Sequence, residues 1–236
     1  MAQLVVTPLS SPHRFTAGDE ILPYLLDSLA DAGVNLEDRD LLVVTSKIIS
    51  KCEGRVVAFD GTEQAREQLI EGESRRVLRR RGTLLITETH HGFVSANAGI
   101  DFSNTEPNTA VLLPTDPDKS ARALRAQIEH GTGKSIGLVI TDTFGRTWRN
   151  GVADVAIGAA GIQVIDDLRG QVDDSGRMLE VTQVAIADEI ASAANLVVAK
   201  DGLTPFVHIR GLAQKHFGVS SVAEHIIRPA IEDLFR

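Results

Sequence analysis

Asp142 and Thr143 stand directly after the apolar run Ile136 to Ile140, where an acid beside a hydroxyl can do chemistry. In α/β proteins, ligands gather beyond the carboxyl ends of strands. Asp101 lies in a second candidate segment, NAGIDFSN, in which Gly99 permits a tight backbone and Asn104 adds an amide. Carboxylate and hydroxyl oxygens suit hard cations such as Mg²⁺ and Mn²⁺, so the two acids could hold a metal against nucleotide phosphates. The alternative is that both aspartates merely cap turns or helices.

TSKIISKCEGR places Ser46, Lys47, Lys51 and Arg55 after another apolar run, Leu41 to Thr45. Hydroxyl and cationic donors there could grip a polyphosphate, or could form a solvated turn. GRTWRNG sets Arg146 and Arg149 on either side of Trp148, the only tryptophan. These arginines could bind a carboxylate or phosphate through paired hydrogen bonds, or could form structural ion pairs.

Other signals carry less. Gly131 to Ser135 imitates the end of a P-loop, but the earlier glycine is replaced by Ile128 and the segment precedes its strand. A helix C-cap and turn is the better reading. His90 and His91 are adjacent, so on a strand their side chains point to opposite faces. Cys52 lacks a recognisable partner pattern and reads as a small packing residue.

These residues need elements to hold them. The sequence predicts strands at Gln3 to Thr7, Leu41 to Thr45, Thr83 to Thr87, Val111 to Leu113, Ile136 to Ile140, Leu196 to Ala199 and Phe206 to Ile209. A helix starting at an Asp19 cap carries Ile21, Leu25 and Leu29 on one side. Thr62 to Arg81 reads as helical, with Leu69, Val77 and Leu78 on its apolar side. Further helices carry Ala121, Leu124 and Ile128, then Val184, Ala187, Ile190, Ala191 and Ala194. A last helical segment bears Ile226, Ile227, Ile231 and Leu234 and is bent at Pro229. Arg169 to Arg177 reads as a surface turn or hairpin. Helices and strands alternate without a clean dinucleotide-binding fingerprint, which gives an α/β or mixed α+β class.

The 236 residues suit one large domain or two small ones, and 43% hydrophobic content supports a sizeable core. A net charge of -8 argues against a general nucleic-acid or anionic-membrane surface. The single cysteine excludes an internal disulfide and favours a reducing compartment. No signal sequence and no apolar run of about 20 residues is present, so a cytoplasmic protein is expected.

VVTSKIISKCEGR, NAGIDFSN, VITDTFGR, WRNGVADVAIGAAG and VAIADEIASAANL, in this order, resemble the F420-0:γ-glutamyl ligase family. The resemblance implies a two-lobed ligase fold and an intertwined homodimer with its nucleotide site near the subunit boundary. It implies that residues 1–236 act as one unit, the stand-alone form without a flavin-binding domain. GTP would phosphorylate the carboxylate of F420-0, and the amino group of L-glutamate would attack the acyl phosphate. Later rounds would extend a γ-linked tail. Family metal ligands fall on Asp101, Asp142 and Thr143, for Mg²⁺ or Mn²⁺ with two ions per site, and K⁺ is a further expected ion. Nucleotide contacts fall on Ser46, Lys51 and Asn104, and the early nucleotide loop on Pro12, His13, Arg14 and Phe15. Where some relatives carry a longer glycine-rich loop, this chain has AKDGLTP, with Asp201 as the available acid. The competing readings are an amino-acid ligase with another acceptor and a non-catalytic GTP-binding regulator.

Overall fold

A computed structural model describes residues 3–103, 106–199 and 203–234. The chain runs β1 (Val5–Leu9), α1 (Ile21–Asp31), β2 (Leu41–Thr45), α2 (Ser46–Cys52), β3 (Val56–Ala58) and α3 (Glu63–Gly72). Then come β4 (Ser74–Arg81), β5 (Leu84–Thr89), β6 (Val94–Ala96), β7 (Thr109–Val111), α4 (Pro117–Thr132) and β8 (Gly137–Gly145). The last elements are β9 (Val152–Ala160), β10 (Asp166–Asp167), β11 (Gln183–Val184), α5 (Ile186–Asn195), β12 (Phe206–Arg210) and α6 (Val222–His225). The mixed α/β class holds. Among the described residues no helix is long and apolar enough to cross a membrane.

The main sheet has the strand order β1-β12-β2-β8-β9. β2 and β8 are parallel, and every other neighbouring pair is antiparallel. β1, β2 and β8 therefore point the same way. Their carboxyl ends share one edge of the sheet with the amino ends of β12 and β9. Leu41, Leu42, Val44, Leu138, Val139 and Ile140 are wholly buried, which is why both runs read as continuous apolar stretches. Each such side chain contributes roughly 2 kcal/mol of burial. A second, smaller core gathers Ile70, Leu85, Ile100 and Leu112 beneath the sheet β4-β5-β6.

Several expectations change. The segment 62–81 is not one helix: α3 stops at Gly72 and β4 follows. Gly82, at φ 57°, turns the chain so that β4 pairs with β5, and the tight reversal favours a hairpin over a longer helix. Residues 196–199 form no strand: Leu196 and Val197 make the turn that closes α5, and Val197 and Val198 pack against the main core. The final helical segment shrinks to α6 and a short 3₁₀ turn, Ala230–Glu232, on either side of Pro229. Pro229 lacks the N–H that a continuous helix would use. Asp19 does not cap α1, whose N-cap is Glu20; it accepts hydrogen bonds from the Thr16 N–H and hydroxyl instead. Gly133, at φ 70°, caps α4 in the left-handed conformation, as read for Gly131 to Ser135.

At the opposite edge of the sheet, buried Asp40 accepts from Arg210 Nε at 2.8 Å, Arg210 Nη2 at 2.7 Å and the Glu37 N–H at 2.8 Å. His208 Nε2 lies 2.9 Å from the same carboxylate. Burial alone would raise this carboxyl, but Arg210, Glu37 and His208 hold it below the usual range. A depressed carboxyl adds stability above its unfolded value, and that stability is lost as pH falls through the folded value. Asp40→Asn is expected to lower stability by about 2 kcal/mol at neutral pH. Denaturant titrations at several pH values should show the deficit shrinking as pH drops below the carboxylate range. A pH-independent deficit would contradict this role.

Candidate functional site

The shared edge collects Ser46, Lys47, Asp101, Asp142 and Thr143 from the residues singled out for chemistry. Thr45 pairs with Thr141 in the β2–β8 ladder, so the next residues, Ser46 and Asp142, emerge side by side. Ser46 Oγ donates to Asp142 Oδ1 at 3.1 Å. Ile140 faces Gly158 but Thr141 faces Ala156, which leaves Ile157 as an extra residue on β9. Such a bulge bends β9 where it passes Thr141 and Asp142. Beyond it, Thr143 pairs with Asp154, and Thr143 Oγ1 donates to Asp154 Oδ1 at 2.6 Å.

Asp101 reaches this region from the other layer. Asn97, Ala98 and Gly99 all have positive φ, at 51°, 56° and 69°. A side chain on Gly99 would meet Leu113 at 2.8 Å, so the turn needs glycine there. Asp101 then bridges to Val111 and forms an ion pair with Lys47 from α2. Its other oxygen accepts from the Ser103 N–H and hydroxyl, each at 2.7 Å.

The two acids are driven in opposite directions. Burial pushes the Asp142 carboxyl up to about 7, with the charges of Asp154 and Asp101 adding to the effect. Hydrogen bonds from the Thr143 N–H and Ser46 only partly oppose it. Burial would raise Asp101 as well, but Lys47 and Ser103 outweigh it and hold that carboxyl below the usual range. Asp188 is raised because burial outweighs its hydrogen bond from the Ala156 N–H. Burial, with Asp19 and Glu53 nearby, pushes the Cys52 thiol up to about 11, which leaves it a poor nucleophile.

Oxygen donors dominate this edge, and that set fits Mg²⁺ or Mn²⁺. Asp142 combines burial with neighbouring negative charge, an environment that a cation would relieve. Among the described residues, no three His, Cys, Asp or Glu side chains come together to enclose an ion. The protein would thus supply part of a coordination shell, the usual arrangement where waters and phosphate oxygens complete it. Asn104 and Asp201 lie outside the described residues.

The early loop is divided in role. Phe15 is buried and meets Tyr24 and Phe206 edge to face, so it belongs to the core. His13 stacks on Tyr24 with centroids 3.7 Å apart, and its Nε2 lies 3.0 Å from Asp19 Oδ2. Pro12 and His13 line a cleft of about 370 Å³ with Ser11, Tyr24, Asp27 and Asp31. Arg14 is exposed, and Lys51 makes no ion pair among the described residues. Arg55 pairs with Glu73 and donates to the Leu113 carbonyl, a structural use. His90 and His91 lie in the turn after β5 rather than on a strand, and they bond separately to the carbonyls of Gly72 and Pro114. Asp154 was missed as a site residue, because Val152–Ala160 shows an apolar run rather than a strand ending in an acid.

An open sheet with carboxylates and hydroxyls collected beyond co-directional strand ends is the architecture of an α/β enzyme. The chain belongs to the F420-0:Gamma-glutamyl ligase family, whose sequence model matches residues 13–211. Similar proteins carry the name Coenzyme F420:L-glutamate ligase. That of Methanothermobacter thermautotrophicus is 38% identical over 236 residues, covering 93% of this chain and 94% of the relative. That of Archaeoglobus fulgidus is 41% identical over 248 residues, with coverages of 98% and 96%. That of Methanocaldococcus jannaschii is 40% identical over 218 residues, with coverages of 85% and 86%.

Proposed function

We propose that the chain adds L-glutamate to coenzyme F420-0, using GTP and a divalent metal and passing through an acyl phosphate. The observation that carries this reading is the meeting of Ser46, Asp142, Thr143 and Asp154 at one sheet edge, with Asp101 reaching it through Lys47. The names of the relatives support the substrate pair. The same reading takes the chain as one functional unit, a cytoplasmic homodimer, with K⁺ as a further ion.

Asp142, Thr143 and Asp101 would hold the metal, which when bound neutralises the phosphoryl group in transfer. Ser46 fixes the orientation of Asp142 through its hydrogen bond, and Asp154 does the same for the Thr143 hydroxyl. Lys47 and Lys51, on α2, would contact phosphate oxygens from the β2 side. A carboxylate oxygen of the acceptor attacks the γ-phosphorus and GDP leaves. The glutamate amine then attacks the acyl carbon, and phosphate leaves with that former carboxylate oxygen. Further rounds would start from the γ-carboxylate just added.

GDP formation, followed by chromatography with each component withheld in turn, tests the coupling. Sustained GDP turnover is expected only when F420-0, L-glutamate and metal are all present; without glutamate GDP should stop at a single stoichiometric burst, and EDTA should abolish it altogether. GDP formed at the same rate without acceptor and glutamate would make the chain a simple hydrolase and sink the ligase reading.

A further inference from the structure

The strand that carries Asp142 and Thr143 continues into a hairpin whose tip has no ion-pair or ring partner from outside the hairpin among the described residues. Gly145 and Val152 form the last ladder pair, so residues 146–151 make the tip. Only Phe144 and Gly145 separate Thr143 from Arg146, three steps of extended strand or a reach of about 10 Å. Trp148 stands in that tip with 87% of its surface exposed. It also adopts φ 65°, a left-handed conformation that a bulky side chain rarely takes. An isolated exposed residue needs no explanation, but one held in strain at a site does.

The tip is braced rather than loose. Arg146 Nη2 donates to the Asn150 carbonyl at 2.7 Å, and the Arg149 N–H donates to the Arg146 carbonyl at 3.3 Å. Neither guanidinium has a carboxylate partner among the described residues, although the chain carries an excess of acids. The tip thus carries an indole and two arginines within four consecutive residues, in the hairpin that continues from the strand of the candidate metal ligands and one short span away. An indole offers a stacking surface, and arginine adds a planar cation suited to phosphate.

We propose that Trp148, Arg146 and Arg149 form the docking platform for the acceptor. The ligand chemistry is a flat fused-ring aromatic joined through a phosphodiester to the reacting carboxylate. The ring stacks on Trp148, the arginines pair with the phosphodiester, and the span to Thr143 sets the carboxylate at the metal edge. This inference rests on the ligase reading above and assigns how that acceptor is gripped.

Calorimetric titration of F420-0 into the parent chain, Trp148→Ala, Trp148→Phe and the double variant Arg146→Ala/Arg149→Ala tests it. GTP titrations and sedimentation run in parallel on each protein. Trp148→Ala is expected to weaken F420-0 binding about tenfold or more, and Trp148→Phe to recover most of that loss. The double variant should weaken binding several-fold and flatten its salt dependence, while GTP affinity moves less than about twofold. Unchanged F420-0 affinity in a folded Trp148→Ala protein would overturn the platform and leave the ligase reading intact. Conversion of a parent dimer to monomers by Trp148→Ala, with unchanged acceptor affinity per site, would assign the tip to a second copy instead. A folded parent that binds GTP but not F420-0 would overturn both readings.

Discussion

Asp142→Asn is expected to lower glutamate-dependent GDP formation about 10³-fold or more while the protein stays folded. The substitution keeps the shape of the side chain and its acceptor for Ser46, but removes the charge that would hold a cation. In the metal-free chain that charge is poorly placed, being half-buried beside Asp154 and Asp101. Melting in EDTA at neutral pH should therefore find the variant at least as stable as the parent. Added Mn²⁺ should raise the melting temperature of the parent and leave that of the variant almost unmoved. Full activity in the variant would remove Asp142 from the metal site. A marked loss of stability would mean that its role is structural.

The largest effect on stability is expected from Asp118→Ala. Asp118 is buried in the first turn of α4 and accepts three backbone N–H groups: Ala159 at 2.9 Å, Val222 at 3.1 Å and Ala223 at 3.0 Å. One carboxylate thus ties α4, β9 and the start of α6. Alanine would strand those donors in an apolar setting, at a cost of about 3–5 kcal/mol. That corresponds to a fall in melting temperature of about 10 °C for a chain of this size. Asp118→Asn keeps an acceptor and should lose less. If the alanine variant melted within about 2 °C of the parent, relaxation or water would be satisfying those donors.

Much of the site was legible because the runs around it are chemically extreme. Leu41 to Thr45 has the bounds of β2, and the apolar run before Asp142 marks β8 because that strand is covered on both faces. Where β8 ends was not legible. Its continuation through Thr143 depends on pairing with β9, an Ala- and Gly-rich segment with no clear alternation. Asp154 was hidden for the same reason. The order β1-β12-β2 was also unreadable, since the sheet inserts a strand from residues 206–210 between two early ones. No local pattern encodes that choice.

The arginine-rich stretch after α3 shows a different limit. Its residues have ordinary helix propensity, but Gly82 and the buried Leu85, Thr87 and Thr89 opposite make it an edge strand. Tertiary pairing outweighed local preference there. Asp101 was legible as a metal candidate in NAGIDFSN, and the three left-handed residues Asn97, Ala98 and Gly99 explain how the backbone reaches the site. Phe15 shows the opposite case, since a residue within the expected nucleotide loop proves to be core.

Ligase function is tested most directly by mass spectrometry of F420-0 after incubation with the chain, L-glutamate, GTP and Mn²⁺. The expected product is heavier by one or more glutamyl residues, formed with matching GDP and absent when GTP or metal is withheld. Unmodified F420-0 from a folded, GTP-binding sample would contradict it.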